Sequence, residues 1–307
     1  MKTSKIIYLI AALACTFPFI DTPIALLIGI ILAQTISHPF PKSNKKLTKV
    51  LLQVSVIGLG FGMNAWQAIE AGKQGLLFTV FSIISTIALG LFIGKRMKIE
   101  NNISYLISTG TAVCGGSAIA AISTIIKSDE KQISTALGTI FILNSIALFL
   151  FPWIGHLLHL SQHQFGVWAA IAIHDTSSVV GAANKYGTEA LQIATTIKLE
   201  RALWIIPIAL ISVFIFKSES KKIQIPYFIF LFILAMLINT FIPAIHTVSI
   251  WIVMISKIGL KITLFLIGSS LSKELIKSVG IKPLVQGILI WAFISVMSLF
   301  IIIHKIL

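Results

Sequence analysis

One carboxylate in this sequence stands where a carboxylate is expensive. Asp175 follows His174 in VWAAIAIHDTSSVVGAA, about half-way along an apolar run, whereas the other nine of the 10 Asp and Glu residues fall at or near the ends of such runs. A charge at the centre of a bilayer costs at least about 3 kcal/mol unless it is paired, protonated or hydrated. His174, Asp175, Thr176, Ser177 and Ser178 in series carry more polarity than helix packing needs, so they are read as part of a substrate or ion pathway. His174 is also the residue whose charge could change near neutral pH, which makes it the natural proton-linked switch. The competing reading is a histidine that is simply hydrogen-bonded within a packed interior.

A second polar interruption lies at Thr109-Gly110-Thr111 and Cys114-Gly115-Gly116-Ser117. Small and polar residues weaken a helix there, and backbone groups freed inside a membrane must face protein or a watery cavity. Thr111, Cys114, Gly115, Gly116 and Ser117 are therefore expected to line the same cavity as His174, unless they form a small-residue packing seam. Lys198 and Arg201, three apart, share a helix face and offer a basic mouth for an anion, although basic residues at a span edge more often act as membrane anchors, the reading favoured here. Lys257 and Lys261 pose the same choice further from any span end. His156, His159 and His163 have helical spacing without a nearby cysteine or carboxylate, so no metal site is expected, and no cofactor. Cys15 and Cys114 sit in apolar runs and cannot frame a surface disulfide network.

The elements that must hold these residues are set by composition. The chain has 307 residues, 57% hydrophobic and 11% charged. Its mean hydropathy is +0.98, which excludes a water-soluble enzyme. Apolar runs near the 20 or so residues that cross a bilayer recur from Ile6 to Ile303, leaving no room for an extramembrane domain. The expectation is an all-α, multi-pass membrane protein of about 11 transmembrane helices, forming a single domain over residues 1–307. These run near 5–20, 23–38, 47–66, 74–94, 103–126, 132–154, 164–184, 199–216, 225–243, 248–271 and 283–304. The start MKTSKIIYLIAALAC imitates a signal peptide, but Leu13 fits a lipoprotein cleavage site poorly, so it is expected to be the first span.

The net charge of +14 would suggest nucleic acid in a soluble chain, but here the cations cluster in short loops beside apolar runs, where orientation and anionic lipid headgroups explain them. With alternating sides, the N-terminal side collects Lys2, Lys5, Lys42, Lys45, Lys46, Lys49, Lys95, Arg96, Lys98, Lys217, Lys221, Lys222, Lys273, Lys277 and Lys282. The other side collects Lys73, Lys127, Lys131, Lys185, Lys198, Arg201 and Lys305. The excess places the N-terminus in the cytoplasm and the C-terminus outside.

The two ends of the chain resemble each other. PIALLIGIILAQTISHP (Pro23 to Pro39) pairs with PYFIFLFILAMLINTFIP (Pro226 to Pro243), and VIGLGFGMNAWQAIEAG (Val56 to Gly72) pairs with LFLIGSSLSKELIKSVG (Leu264 to Gly280), matching Gly60 to Gly268. Shared amphipathic composition would also produce this likeness. If the repeat is real, residues 23–94 and 226–305 form an inverted pair, because the shift between them is an odd number of spans. Spans 3 and 10 are then the expected broken helices, interrupted near Gly58, Gly60, Gly62 and Asn64 and near Gly268, Ser269 and Ser270, and brought together around a site. The alternative is that these glycines only let helices pack closely.

At these residues the sequence resembles the YeiH-like bacterial inner-membrane proteins, commonly described as sulfate exporters. The likeness covers nearly the whole chain. It is most specific at Ser108 to Ala121 (STGTAVCGGSAIA), at Ile173 to Ala183 (IHDTSSVVGAA) with Tyr186-Gly187, at Lys198-Leu-Glu-Arg201 leading to Trp204 and Pro207, and at Leu266 to Leu271 (LIGSSL). Some relatives carry Glu where this chain has Asp175. That family is distantly similar to the cation–proton antiporter and bile-acid transporter group, whose inverted repeats cross at two broken helices. This chain lacks the adjacent intramembrane carboxylates of sodium–proton antiporters.

The resemblance implies a secondary transporter of a small inorganic or organic anion, with sulfate export foremost, in the bacterial cytoplasmic membrane. Protons or sodium are the candidate coupling ions, a homo-oligomer is compatible with it, and it needs no nucleic acid. A cation or proton antiporter using Asp175 is the nearest alternative. An intramembrane enzyme using His174 with Cys114 or Asp175 is disfavoured because no phosphate loop, nucleophile elbow or paired catalytic carboxylates occur.

Overall fold

A computed structural model describes residues 2–17, 19–36, 40–216, 227–273, 277 and 279–304. Pro39, Pro226 and the loop residues Lys217, Lys221, Lys222 and Lys305 lie outside them, as do Glu219 and Glu274, two of the nine carboxylates near the ends of apolar runs. The described residues are helical, with no strand among them. In chain order the helices are α1 (Lys2–Ala14), α2 (Thr22–Thr35), α3 (Pro41–Gly60), α4 (Ala65–Arg96), α5 (Asn101–Ala112), α6 (Gly116–Ile125) and α7 (Glu130–Leu157). They continue with α8 (Gln162–Ala172), α9 (Thr176–Tyr186), α10 (Thr188–Leu203), α11 (Ile205–Ile215), α12 (Tyr227–Phe241), α13 (His246–Ser270) and α14 (Ile281–Ile303). Among the described residues, Phe78–Arg96, Glu130–Leu157, Pro243–Ser270 and Ile281–Ile303 are long and apolar enough to cross a membrane; Ser4–Ala14, Thr22–Thr35, Gly116–Ile125 and Tyr227–Phe241 are apolar but shorter.

The chain divides into two packed units, one of Met1–Glu70 with Pro226–Lys273 and one of Ala71–Ile225 with Glu274–Leu307. In the first unit, glycines set the helix contacts. α2 meets α13 where Gly29 faces the backbone of Phe265 and Ser269, and Gly268 faces Leu26 O, so a methyl at either position would strike main chain. Gly58 of α3 abuts Ser256 of α13, and Gly259 of α13 abuts Ser55 of α3. Gly60 lies against α12, where a Cβ would come within 2.7 Å of Phe232 O. In membrane, where lipid is as apolar as leucine, such close backbone approach is what holds helices together. α1 is tied into the same unit by Tyr8, whose hydroxyl lies 3.0 Å from Ser269 Oγ and donates to Asn44 Oδ1 at 3.3 Å.

These contacts sit beside the expected breaks, since α3 ends at Gly60, the non-helical residues 61–64 include Gly62 and Asn64, and α13 ends at Ser270. α13 stays helical through Gly268 and Ser269 to Ser270, and α3 stays helical through Gly58 to Gly60. Beyond Gly60 the chain turns, with Phe61 N donating to Gly58 O at 3.2 Å and Gly62 N to Leu59 O at 2.9 Å, and Asn64 Oδ1 then accepts from Trp66 N at 2.9 Å to start α4. The glycines are flat surfaces for a neighbouring backbone, and each helix keeps its own hydrogen bonds.

In the second unit the helices start on sequence-encoded caps. Asp129 and Gln132 form a reciprocal capping box at α7, and Ser161 and Gln164 do the same at α8. Gln286 of α14 joins α4 to α5, its Nε2 donating to Gly90 O at 2.9 Å and to Ser104 Oγ at 2.7 Å. Trp168 of α8 donates from Nε1 to Ser295 O of α14 at 3.0 Å. Two further helix breaks belong to this unit. Span 5 is divided into α5 and α6, and span 7 into α8 and α9.

Candidate functional site

The first break occupies Val113, Cys114 and Gly115. Val113 leaves the helix at φ −116° and ψ −90°, and Gly115 adopts φ +65°, a left-handed value that suits glycine. A Cβ on Gly115 would meet Ile140 Cγ2 at 3.2 Å and Asp175 Cα at 3.3 Å, so this glycine is where the first break touches the second. The second break runs through Ile173, His174 and Asp175, with Ile173 and Asp175 both extended. Asp175 recloses the helix. Its Oδ2 accepts from Ser177 N at 3.0 Å, from Ser178 N at 3.3 Å and from the Ser177 hydroxyl, so the carboxylate caps the N-terminus of α9. α6 has Gly115 at its N-cap and receives no side-chain oxygen from it; the Cys114 thiol instead faces Ser117 and the backbone N–H of Ala118.

Each break also leaves carbonyls without helical partners, and a buried carbonyl left unpaired costs about 1–3 kcal/mol. α10 resolves this. Lys198 Nζ donates to Ile173 O at 2.7 Å and Ala170 O at 3.3 Å, at the C-terminal end of α8. Arg201 Nη2 donates to Ala112 O, the last residue of α5, at 2.6 Å, while Nη1 donates to Ser82 Oγ of α4 at 2.9 Å. Trp291 of α14 takes Ala172 O at 3.1 Å. Lys198 and Arg201 are 0% exposed, so they are not anchors at a span edge. The spacing of three that puts them on one helix face aims one at each broken helix.

Asn144, in the middle of α7, holds the second break from the opposite sequence direction: its Oδ1 accepts from His174 N at 3.2 Å and Asp175 N at 3.4 Å. That fixes its amide orientation, leaving Nδ2 as a donor. Nδ2 has no hydrogen-bond partner among the described residues, and neither do Arg201 Nε, Thr111 Oγ1 or either ring nitrogen of His174. All four residues are buried, and native interiors rarely leave such groups unmatched. His174 packs edge-on to Trp291 at 6.4 Å between ring centroids and lies within electrostatic range of Lys198 and Arg201. Asp175 lies within range of Lys198, and Arg201 within range of Glu200.

Of the residues singled out by sequence, the structure therefore brings Cys114, Gly115, His174, Asp175, Lys198 and Arg201 to one place, with Thr111, Thr176, Ser177 and Ser178 on the adjoining helix ends. Ser117 is exposed and Gly116 only half-buried, with a Cβ there in ordinary contact with Leu137 and Phe141. Lys257 and Lys261 belong to the first unit, where Lys261 Nζ donates to Phe17 O at 3.1 Å. His156 stacks on Tyr186 at 4.3 Å, and no cluster of three metal-binding side chains occurs among the described residues. Asn144, Trp291 and Ser82 were not anticipated. Asn144 left a usable trace, a lone amide in the apolar run TIFILNSIALFLF.

Comparison with known proteins agrees with the membrane assignment. The family described as conserved hypothetical protein 698 matches residues 4–287. A UPF0324 membrane protein of Bacteroides thetaiotaomicron is 56% identical over 283 residues, covering 92% of this chain and 86% of its own. One from Photobacterium profundum is 50% identical over 299 residues, covering 97% and 92%. One from Geobacter sulfurreducens is 44% identical over 285 residues, covering 93% and 92%. No solved structure matches. With whole-chain identity at this level, the chain belongs to the UPF0324 membrane proteins, the conserved hypothetical protein 698 family, which is the YeiH-like family its motifs resemble.

Proposed function

We propose that this protein is a secondary transporter that moves a small anion across the bacterial cytoplasmic membrane by alternating access, with sulfate the first anion to test and sulfonate-related products next. The observation that carries the reading is the set of donors left over where the two broken helices meet. Asn144 Nδ2 and Arg201 Nε can only donate, both are buried, and both lack partners among the described residues. An oxyanion supplies several acceptors to such donors at once. The N-terminus of α6, whose N-cap Gly115 supplies no side-chain oxygen and where the Cys114 thiol faces the Ala118 N–H, adds a backbone contribution of the same sign. The terminal carbonyls, whose charge would repel an anion, are covered by Lys198, Arg201 and Trp291.

The inverted repeat is supported by reciprocal packing in the first unit. Gly60 of α3 rests on α12 and its sequence counterpart Gly268 of α13 rests on α2, while Gly58 and Gly259 exchange serine contacts between α3 and α13. About 11 spans, a cytoplasmic N-terminus and an external C-terminus complete the proposal, and a cytoplasm-active reporter that works when fused after Leu307 would refute the orientation. One observation favours a second reading, a cation or proton antiporter: Asp175 is a buried carboxylate at a helix break. Flux of labelled sulfate into proteoliposomes, with sodium and proton gradients varied separately, separates the two. Sulfate flux above that of empty liposomes supports the first, and sodium or proton exchange without sulfate movement supports the second.

A further inference from the structure

The wiring of α10 bears on what drives transport as well as on what is carried. Broken helices in transporters expose C-terminal ends and unwound carbonyls, and these are the oxygens that coordinate a coupling cation. Such an end carries roughly half a negative charge, so two buried together call for positive charge from somewhere. In this chain four such oxygens, Ala112 O at the end of α5 and Ala170 O, Ala172 O and Ile173 O at the end of α8, each accept an N–H from a side chain. Arg201 takes the first at 2.6 Å, Lys198 takes Ala170 O at 3.3 Å and Ile173 O at 2.7 Å, and Trp291 takes Ala172 O at 3.1 Å. Both cationic side chains are 0% exposed and are carried by one helix, three residues apart.

We propose that Lys198 and Arg201 are tethered counter-cations that permanently hold the places a coupling metal ion would take, so that the site where the broken helices meet works without sodium. This rests on the anion-transporter reading and deepens it by fixing the coupling. A sodium ion needs several oxygens turned towards one point, and four of the carbonyls at these two helix ends are turned towards nitrogen. Displacing Lys198 would break two charge-assisted hydrogen bonds and strand a buried ammonium, which a strongly hydrated small ion cannot offset. Asp175 already commits its Oδ2 to the cap of α9.

The test uses the purified full-length protein and reads cation binding apart from transport. Thermal unfolding is followed while NaCl replaces choline chloride at constant ionic strength. The wild type should show no saturable sodium-dependent rise in midpoint. Lys198→Ala, which uncovers Ala170 O and Ile173 O, should unfold several degrees lower and regain stability with millimolar methylammonium or sodium, and Arg201→Ala should respond to low guanidinium. A saturable sodium response in the wild type overturns the proposal. So does a Lys198→Ala variant as stable as wild type and indifferent to every cation. If the alanine variants do not accumulate, the wild-type titration still decides, and Lys198→Arg, which keeps the charge, should unfold closer to wild type than Lys198→Met.

Labelled-sulfate flux supplies the second arm. Exchanging sodium for choline should leave the rate within about twofold, whereas linkage to a bound coupling ion would change it roughly tenfold or more. Absence of any anion flux would sink the transporter reading, and the unfolding titration would still report on the tethered cations.

Discussion

Gly268 in α13 and Gly115 between α5 and α6 are both glycines in apolar, serine-flanked stretches, yet they do opposite things. At Gly268 the backbone is still helical, two residues before α13 ends at Ser270, and the missing side chain makes room for Leu26 O of a neighbouring helix. At Gly115 the chain takes φ +65°, the helix ends, and the missing side chain makes room for the second break at Asp175. What separates them is the fate of the backbone hydrogen bonds. Around Gly268 these remain inside the helix. Around Gly115 and Ile173 they are transferred to side chains from elsewhere, namely Arg201, Lys198, Trp291 and Asn144. A break in a membrane helix is therefore a property of the partners that accept its freed groups, and glycine alone does not create it.

This contrast can be attacked directly. Lys198→Ala carries the largest expected effect: it strands two buried carbonyls, should lower unfolding free energy by about 3 kcal/mol and should abolish flux, as measured by reversible denaturation in detergent and by proteoliposome assay. Gly115→Ala comes next. It forces a side chain into left-handed backbone and against Asp175, costing about 1–2 kcal/mol, and it should remove most flux from protein that still inserts. Gly268→Ala pushes α2 away from α13 and should cost about 1–3 kcal/mol as an overpacking defect, with flux per folded molecule largely retained. The contrast fails if Gly268→Ala abolishes flux in stable protein while Gly115→Ala transports normally. Asn144→Ala is the mildest, about 1 kcal/mol from the lost acceptor, and its signature should be weaker apparent affinity for the anion more than a lower maximal rate.

Much of this was readable in the sequence, and what was not has a physical reason. The membrane class followed from apolar runs, and the polarity of TGTAVCGGS and IHDTSS marked both stretches that prove to be broken, because polar residues in a span must answer to something local. α3 and α13 end at the motifs singled out in spans 3 and 10, but how their glycines pack was not legible, because a glycine's effect depends on the backbone opposite it, and Leu26 and Phe232 are remote in sequence from Gly268 and Gly60. Lys198 and Arg201 looked like anchors for a similar reason. A basic pair ending a less apolar segment has the same one-dimensional pattern whether it points to lipid headgroups or, as here, to the carbonyls of Ala112 and Ile173. Asn144 was legible in principle as the lone amide of its run and went unused because its partners lie 30 residues away.

In the proposed function the meeting point of the broken helices moves an anion. This claim is tested most directly by the pH dependence of labelled-sulfate flux in proteoliposomes holding either wild type or Asp175→Asn, a variant that keeps the size of the side chain and removes its charge. The account predicts wild-type flux above empty liposomes and, for inserted Asp175→Asn, a changed rate and a displaced pH profile, with His174→Gln displacing it as well. Equal rates and superimposable pH profiles for all three would contradict it, leaving His174 and Asp175 as structural residues and moving the search for the site to Cys114 and its neighbours.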